Sequence, residues 1–115
     1  MTVLYGIGTC DTCRKVLKAL ENINLDVTFR DVRAEPLSVS EIGRFWAEFG
    51  DALLNTRSTT WRGLSESERA RAPAALLADH PTLMKRPVIE GPGGLTLGWD
   101  KAAQGAHLGS RASGA

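Results

Sequence analysis

Residues 2 to 32 constrain the possible folds of this chain more than any other stretch. Thr2-Val3-Leu4-Tyr5 is a β-branched and aromatic run that stops at Gly6, which predicts a short buried strand. Beyond the turn Gly6-Ile7-Gly8-Thr9, residues Cys13, Val16, Leu17 and Leu20 recur at i, i+3, i+4 and i+7. That spacing is the apolar stripe of a helix, ending near Asn22 to Asn24. Val27-Thr28-Phe29-Arg30-Asp31-Val32 then alternates with period two, a second strand. Strand, helix and strand in this order make a βαβ unit with a right-handed crossover.

The middle of the chain reads as helical. Ser38 with Glu41 three residues on is a capping box, followed by Ile42, Phe45, Trp46 and Phe49 on one face and Gly50 as a stop. Ser65 and Glu68 repeat the box and open a helix that Pro73 must break or restart. Ala74 to Ala78 favours helix up to Pro81. Val88-Ile89, a Gly-Pro-Gly-Gly stretch and Leu95-Thr96-Leu97 form a β-hairpin, and a last short helix covers about Asp100 to His107. The order βαβ, helices, β-hairpin, helix is that of an α/β thioredoxin-like fold with a helical insertion at about 38–80. One domain is expected over 1–108, since 115 residues bury a single core, with a small, polar, disordered tail over 109–115.

Charge excludes several functions. With 14 basic and 13 acidic residues the chain lacks the basic excess of a direct nucleic-acid binder or a membrane-surface protein. No apolar run is long enough to span a bilayer, and Met1 leads straight into the first strand without the pattern of a secretory signal. A cytoplasmic protein is expected, and there a close cysteine pair reads as catalytic or metal-binding rather than as a structural disulfide.

Cys10 and Cys13 lie three positions apart where the first strand hands over to the first helix. Unpaired backbone N–H groups and the positive end of the helix dipole favour a thiolate at that place. Cys10, nearer the helix end, is the expected nucleophile; Cys13, one turn on, is able to resolve a mixed disulfide. Arg14 and Lys15 add positive charge and Asp11 opposes it. A zinc site would need about four ligands, whereas His80 and His107 stand apart from each other and from the single pair, so no metal is expected. Two inert core thiols are the other alternative.

Two further stretches bear on substrate. Asn55-Thr56-Arg57-Ser58-Thr59-Thr60-Trp61-Arg62 shows no clear period and reads as a solvated loop rich in capping residues. Lys85-Arg86-Pro87-Val88 places a proline directly before a strand. Arginine's forked donors suit oxyanions and carboxylates, so Arg57 and Arg86 would make an electropositive pocket if the fold carried them to Cys10. Trp99 reads as a core aromatic.

YGIGTCDTCRK, LLNTRSTTWR and LMKRPVIEG, followed by LGW, together resemble the ArsC/Spx/YffB family of arsenate reductase-related proteins, most of all its YffB-like branch. The resemblance runs from Thr2 to about Leu108. It implies a thioredoxin fold with a helical subdomain, a cis proline at Pro87, Cys10 as the reactive thiol beside Thr9, and Arg57 and Arg86 as anion-binding residues. It also implies a thiol reductase that binds no cofactor, with glutathione as co-substrate or a glutaredoxin-type reductant as partner. The family's arsenate reductases carry a third arginine after the hairpin, where this chain has Gly98-Trp99-Asp100. The CxxC spacing is that of the Spx-type regulators, which use the pair as a redox switch on RNA polymerase. Arsenate reductase proper and an Spx-like regulator are therefore the alternative readings.

Overall fold

A computed structural model describes residues 2–23 and 26–109. The chain divides into two compact units, one built from residues 1–31 and 86–115, the other from 32–85.

The first unit is a four-stranded mixed sheet in the order β2-β1-β3-β4, with β1 at Thr2–Gly6, β2 at Val27–Asp31, β3 at Val88–Gly91 and β4 at Gly94–Leu97. Helix α1, Asp11–Asn22, joins β1 to β2, which lie parallel with Leu4 opposite Phe29. β3 runs antiparallel to β1 on its other side and sets Val88 opposite Tyr5. β1 is thus central and buried almost throughout, which is why its sequence reads as an unbroken apolar run rather than an alternating one. The stripe of α1 docks Cys13, Val16 and Leu20 against Leu4 and Ile89 in the core of this unit. Each large side chain fully buried there contributes roughly 1.5–3 kcal/mol of transfer free energy.

The hairpin turns through Pro92 and Gly93, with Gly91 paired to Gly94. Helix α6, Lys101–Gln104, starts from Asp100, whose carboxylate accepts from the Ala103 N–H at 2.9 Å, and continues into a π turn over Gly105–Gly109. Of the expected tail, residues 110–115 lie outside the described residues. His107 is buried beneath the hairpin, 2.8 Å from the Thr96 hydroxyl, and burial pulls its pKa below the ordinary imidazole value. The unfolded chain therefore binds a proton here before the folded one does. Stability from this group should be complete above about pH 6.5 and fall as acid carries the solution through the lower folded-state pKa. Urea midpoints measured between pH 7.5 and 5.5 should decline more steeply for the wild type than for His107→Gln, which keeps a partner for Thr96 but cannot titrate.

The second unit is helical. α2, Val39–Phe49, opens on the complete capping box: the Ser38 hydroxyl accepts from the Glu41 N–H at 3.1 Å, and the Glu41 carboxylate accepts from the Ser38 N–H at 2.9 Å. Its buried Ile42 and Phe45 face helix α5, Pro73–Asp79, which buries Leu76 and Leu77 and takes Pro73 in its first turn. Proline is tolerated there because that N–H has no intrahelical acceptor.

Two expectations need correction. The stretch Asn55 to Arg62 is not all loop, since Ser58 caps a one-turn helix α3, Thr59–Arg62, by accepting from the Trp61 N–H at 3.1 Å. The helix opened by Ser65 is also a single turn, α4, Glu66–Arg69. Tertiary contacts sustain both turns. Arg69 donates to the Trp61 carbonyl at 3.1 and 3.2 Å and lies 5.4 Å over the Trp61 ring. The Glu68 carboxylate meets Arg71 at 3.1 Å, and Arg71 also pairs with Asp79, tying α4 to the end of α5.

Candidate active site

The loop Ile7–Cys10 carries the chain from β1 into α1. The Cys10 N–H donates to the Ile7 carbonyl at 2.9 Å, and the Gly8 N–H donates to the Asp31 carboxylate at 3.0 Å, which ties the loop to the end of β2. Thr9 is exposed at the tip of this turn. Cys10 is the N-cap of α1 in extended conformation, and its carbonyl accepts the first helical bond, from the Arg14 N–H at 3.0 Å. Its side chain makes no cap bond, so the sulfur is left for chemistry at the positive end of a 12-residue helix.

The environment of the two thiols separates their acidities. Burial opposes charge on Cys10, but the Cys13 N–H, the Cys13 S–H and the Arg86 guanidinium all hydrogen-bond its sulfur, and the Arg86 charge adds to them. The balance holds Cys10 below the ordinary thiol value. Burial instead pushes Cys13 up to about 11, with the negative sulfur of Cys10 adding to the rise and a hydrogen bond from the Ile7 N–H moderating it. The cation acting on Cys10 is thus Arg86, not Arg14 or Lys15 of its own helix. Arg14 is exposed and faces Asp11 at 3.8 Å.

Arg86 reaches the thiol because β3 lies beside β1, which brings the segment just before β3 to the β1–α1 turn. Pro87 follows it through a cis peptide bond, is buried, and accepts at its carbonyl from the Gly98 N–H at 2.8 Å. The structure therefore assembles Cys10, Cys13 and Arg86 within the first unit, with Pro87 adjacent.

Arg57 belongs to the second unit. There it is exposed, its N–H donating to the Asn55 side-chain oxygen at 3.2 Å, and it lines an open pocket of about 260 Å³ with Leu54, Asn55, Thr56 and Lys85. Lys85 joins this pocket through main-chain pairing, its N–H donating to the Leu53 carbonyl at 2.8 Å. In sequence Lys85 is no more than part of the stretch before a strand. Its place in a cationic pocket depends on a long-range bridge between Leu54 and Met84 that no local pattern announces.

Where a third arginine would stand, Gly98 takes a φ of +82°, Trp99 packs against the core and Asp100 caps α6. No three His, Cys, Asp or Glu side chains among the described residues gather into a group that would hold a metal ion. No helix among them is long and apolar enough to cross a membrane.

A four-stranded α/β sheet with a cysteine capping the first helix and a cis proline at the start of the third strand defines a thioredoxin-like protein. Within that class the chain belongs to the ArsC family, whose sequence profile matches residues 5–106. It is 37% identical over 106 residues to an uncharacterized protein of Haemophilus influenzae, covering 88% of this chain and 93% of the relative. It is 31% identical over 107 residues to the global transcriptional regulator Spx of Bacillus subtilis, covering 88% and 82%. Among solved structures, a YffB protein superposes with a TM-score of 0.83 at 34% identity, covering 94% of this chain and 99% of the other. An arsenate reductase-related protein of Brucella melitensis superposes with a TM-score of 0.68 at 36% identity, covering 93% of each.

Proposed function

We propose that the protein is a glutathione-coupled thiol–disulfide reductase with Cys10 as its nucleophile. The observation that carries this reading is Cys10 at the N-cap of α1, its side chain making no cap bond and its thiol held below the ordinary value by Cys13 and Arg86. In the proposed cycle the Cys10 thiolate attacks the glutathione sulfur of a mixed disulfide RS–SG. The S–S bond breaks, RS⁻ leaves and takes a proton from water, and a Cys10–SG bond forms. A glutathione thiolate then attacks the same glutathione sulfur, releasing oxidised glutathione and returning the Cys10 thiolate. Arg86 stabilises the anion before attack and after release. Arg57, with Lys85 in its pocket, is assigned to a carboxylate of the substrate.

Arsenate fits less well. It is anionic and must approach an anionic sulfur, and the segment after the hairpin offers Gly98, Trp99 and Asp100 instead of a further cation. One missing charge-assisted contact is worth on the order of 1.5–3 kcal/mol, or roughly ten- to a hundredfold in oxyanion binding. The purified protein should therefore reduce a glutathionylated peptide measurably and arsenate weakly or not at all. Arg86→Ala should raise the pH midpoint of Cys10 thiolate absorbance and lower kcat/KM for the peptide by about tenfold or more. Arg57→Ala should lower kcat/KM while leaving the midpoint in place. Efficient arsenate turnover insensitive to both substitutions would overturn the assignment.

A second reading, a redox-gated regulator on RNA polymerase, rests on the 31% match to a global transcriptional regulator. Co-purification with RNA polymerase, altered by oxidation of Cys10, would favour it.

A further inference from the structure

We propose that Cys13 is a positioning residue for Cys10 and not the thiol that resolves its mixed disulfide: its S–H donor fixes the Cys10 sulfur as an anion, and a low-molecular-weight thiol from solution completes the cycle. This deepens the assignment of Cys10 as nucleophile and rests on it.

Cys13 sits in the core of the first unit. Its side chain is 0% exposed, in contact with the apolar cluster of Leu4, Val16, Leu20 and Ile89. Its sulfur occupies the room left by the missing side chain of Gly6, only 2.5 Å from where a Cβ on that residue would stand. The Ile7 N–H donates to it from the strand side, and it in turn donates its own proton to Cys10. Cys10, by contrast, is half-buried at the rim of the same cluster and open to an incoming disulfide.

To resolve a Cys10–SG bond, Cys13 would have to lose its proton inside this apolar seat. Burial is the largest cause of the raised Cys13 pKa and persists when Cys10 carries glutathione, so Cys13 is ionised far less than an exposed thiol at pH 7. An ordinary solution thiol is ionised to a few per cent at that pH. The fit beneath Gly6 also opposes the shift that would carry the sulfur outward. In the resting protein the same S–H is well placed for the other task, donation to a neighbouring thiolate. Cys13 supplies that proton without giving it up, so each turnover consumes one external glutathione thiol, which leaves as oxidised glutathione joined to the glutathione taken from the substrate.

Serine and alanine separate the two roles, because serine keeps a donor but cannot form a disulfide, and alanine does neither. The backbone N–H of residue 13 is present in both. Thiolate absorbance against pH and glutathione-dependent reduction of a glutathionylated peptide should be measured on the full chain. Cys13→Ser is expected to keep the Cys10 midpoint within about half a unit of the wild type and kcat within about threefold. Cys13→Ala is expected to raise the midpoint by about one unit and to lower the rate about tenfold on the acid side of it, with recovery at higher pH. The wild type supplies a check independent of any variant. After glutathione disulfide, its mass should show a lasting adduct of one glutathione, not the loss of two hydrogens that marks a Cys10–Cys13 bond. The proposal is overturned if the internal bond replaces the adduct, or if both variants stall equally as trapped adducts. If Cys10 in the wild type takes up no glutathione at all, the underlying reductase reading has failed instead.

Discussion

Cys10→Ser is expected to bring glutathione-dependent exchange down to the solution background, a fall on the order of 10⁴-fold or more in kcat/KM. An alcohol in the same place forms no anion near neutral pH and no stable bond to a leaving sulfur, so neither half of the cycle proceeds. The fold should not suffer. Cys10 makes no side-chain cap bond to α1, whereas serine is among the preferred N-cap residues, its oxygen able to accept a first-turn N–H. Chemical denaturation should therefore show equal or slightly higher stability beside the lost activity. In the wild type the activity depends on pH through the same sulfur. The thiolate is present above the lowered Cys10 pKa and is lost as pH falls through it, so kcat/KM should rise with pH to a plateau whose midpoint lies below the free-thiol value of about 8.5. Turnover by Cys10→Ser within tenfold of the wild type would remove the sulfur from the mechanism.

A large loss of stability from a single added carbon is expected at Gly6→Ala. Gly6 ends β1, and a Cβ built there meets the Cys13 sulfur at 2.5 Å, the Cys13 Cβ at 3.1 Å and a Leu4 methyl at 3.3 Å. All three belong to buried side chains of one core, so none has open space to move into. Overpacking of this kind costs about 1–3 kcal/mol, and the cost here should lie at the upper end. Cys13→Ala removes the worst of the contacts. The double variant Gly6→Ala/Cys13→Ala should therefore be more stable than Gly6→Ala alone, although Cys13→Ala by itself is destabilising. Urea denaturation of the four proteins gives the coupling directly. Additive losses would show that the core yields at this point and that Gly6 is not required by the Cys13 sulfur.

The local readings of the chain stand where a period or a cap decides the conformation. β1, α1 and β2 follow from apolar run, stripe and alternation, and their order settles the parallel pairing, because a helical crossover leaves little else possible. Ser38 and Glu41 form the box that their spacing announces, since both partners lie within one turn. Cys10 at the start of α1 was likewise legible, and with it the dipole that favours a thiolate. The one-turn helices α3 and α4 were not. Four residues carry too little periodicity to be recognised, and what holds these turns is Arg69 on Trp61 and Arg71 between Glu68 and Asp79.

The sequence by itself thus determined the βαβ frame, the family motifs and the place of Cys10 at the start of α1. Tertiary structure alone decided which cation lies beside that cysteine and how deeply the second one is buried. Arg14 and Lys15 are near Cys10 along the chain, but they point from an exposed helix face, where water screens them. Arg86 is distant in sequence and reaches the sulfur because β3 pairs with β1, a pairing set by long-range burial rather than by any local pattern. The same burial places Cys13 beneath Gly6, so two cysteines alike in sequence differ in acidity: one meets donors and a positive charge, the other an apolar core.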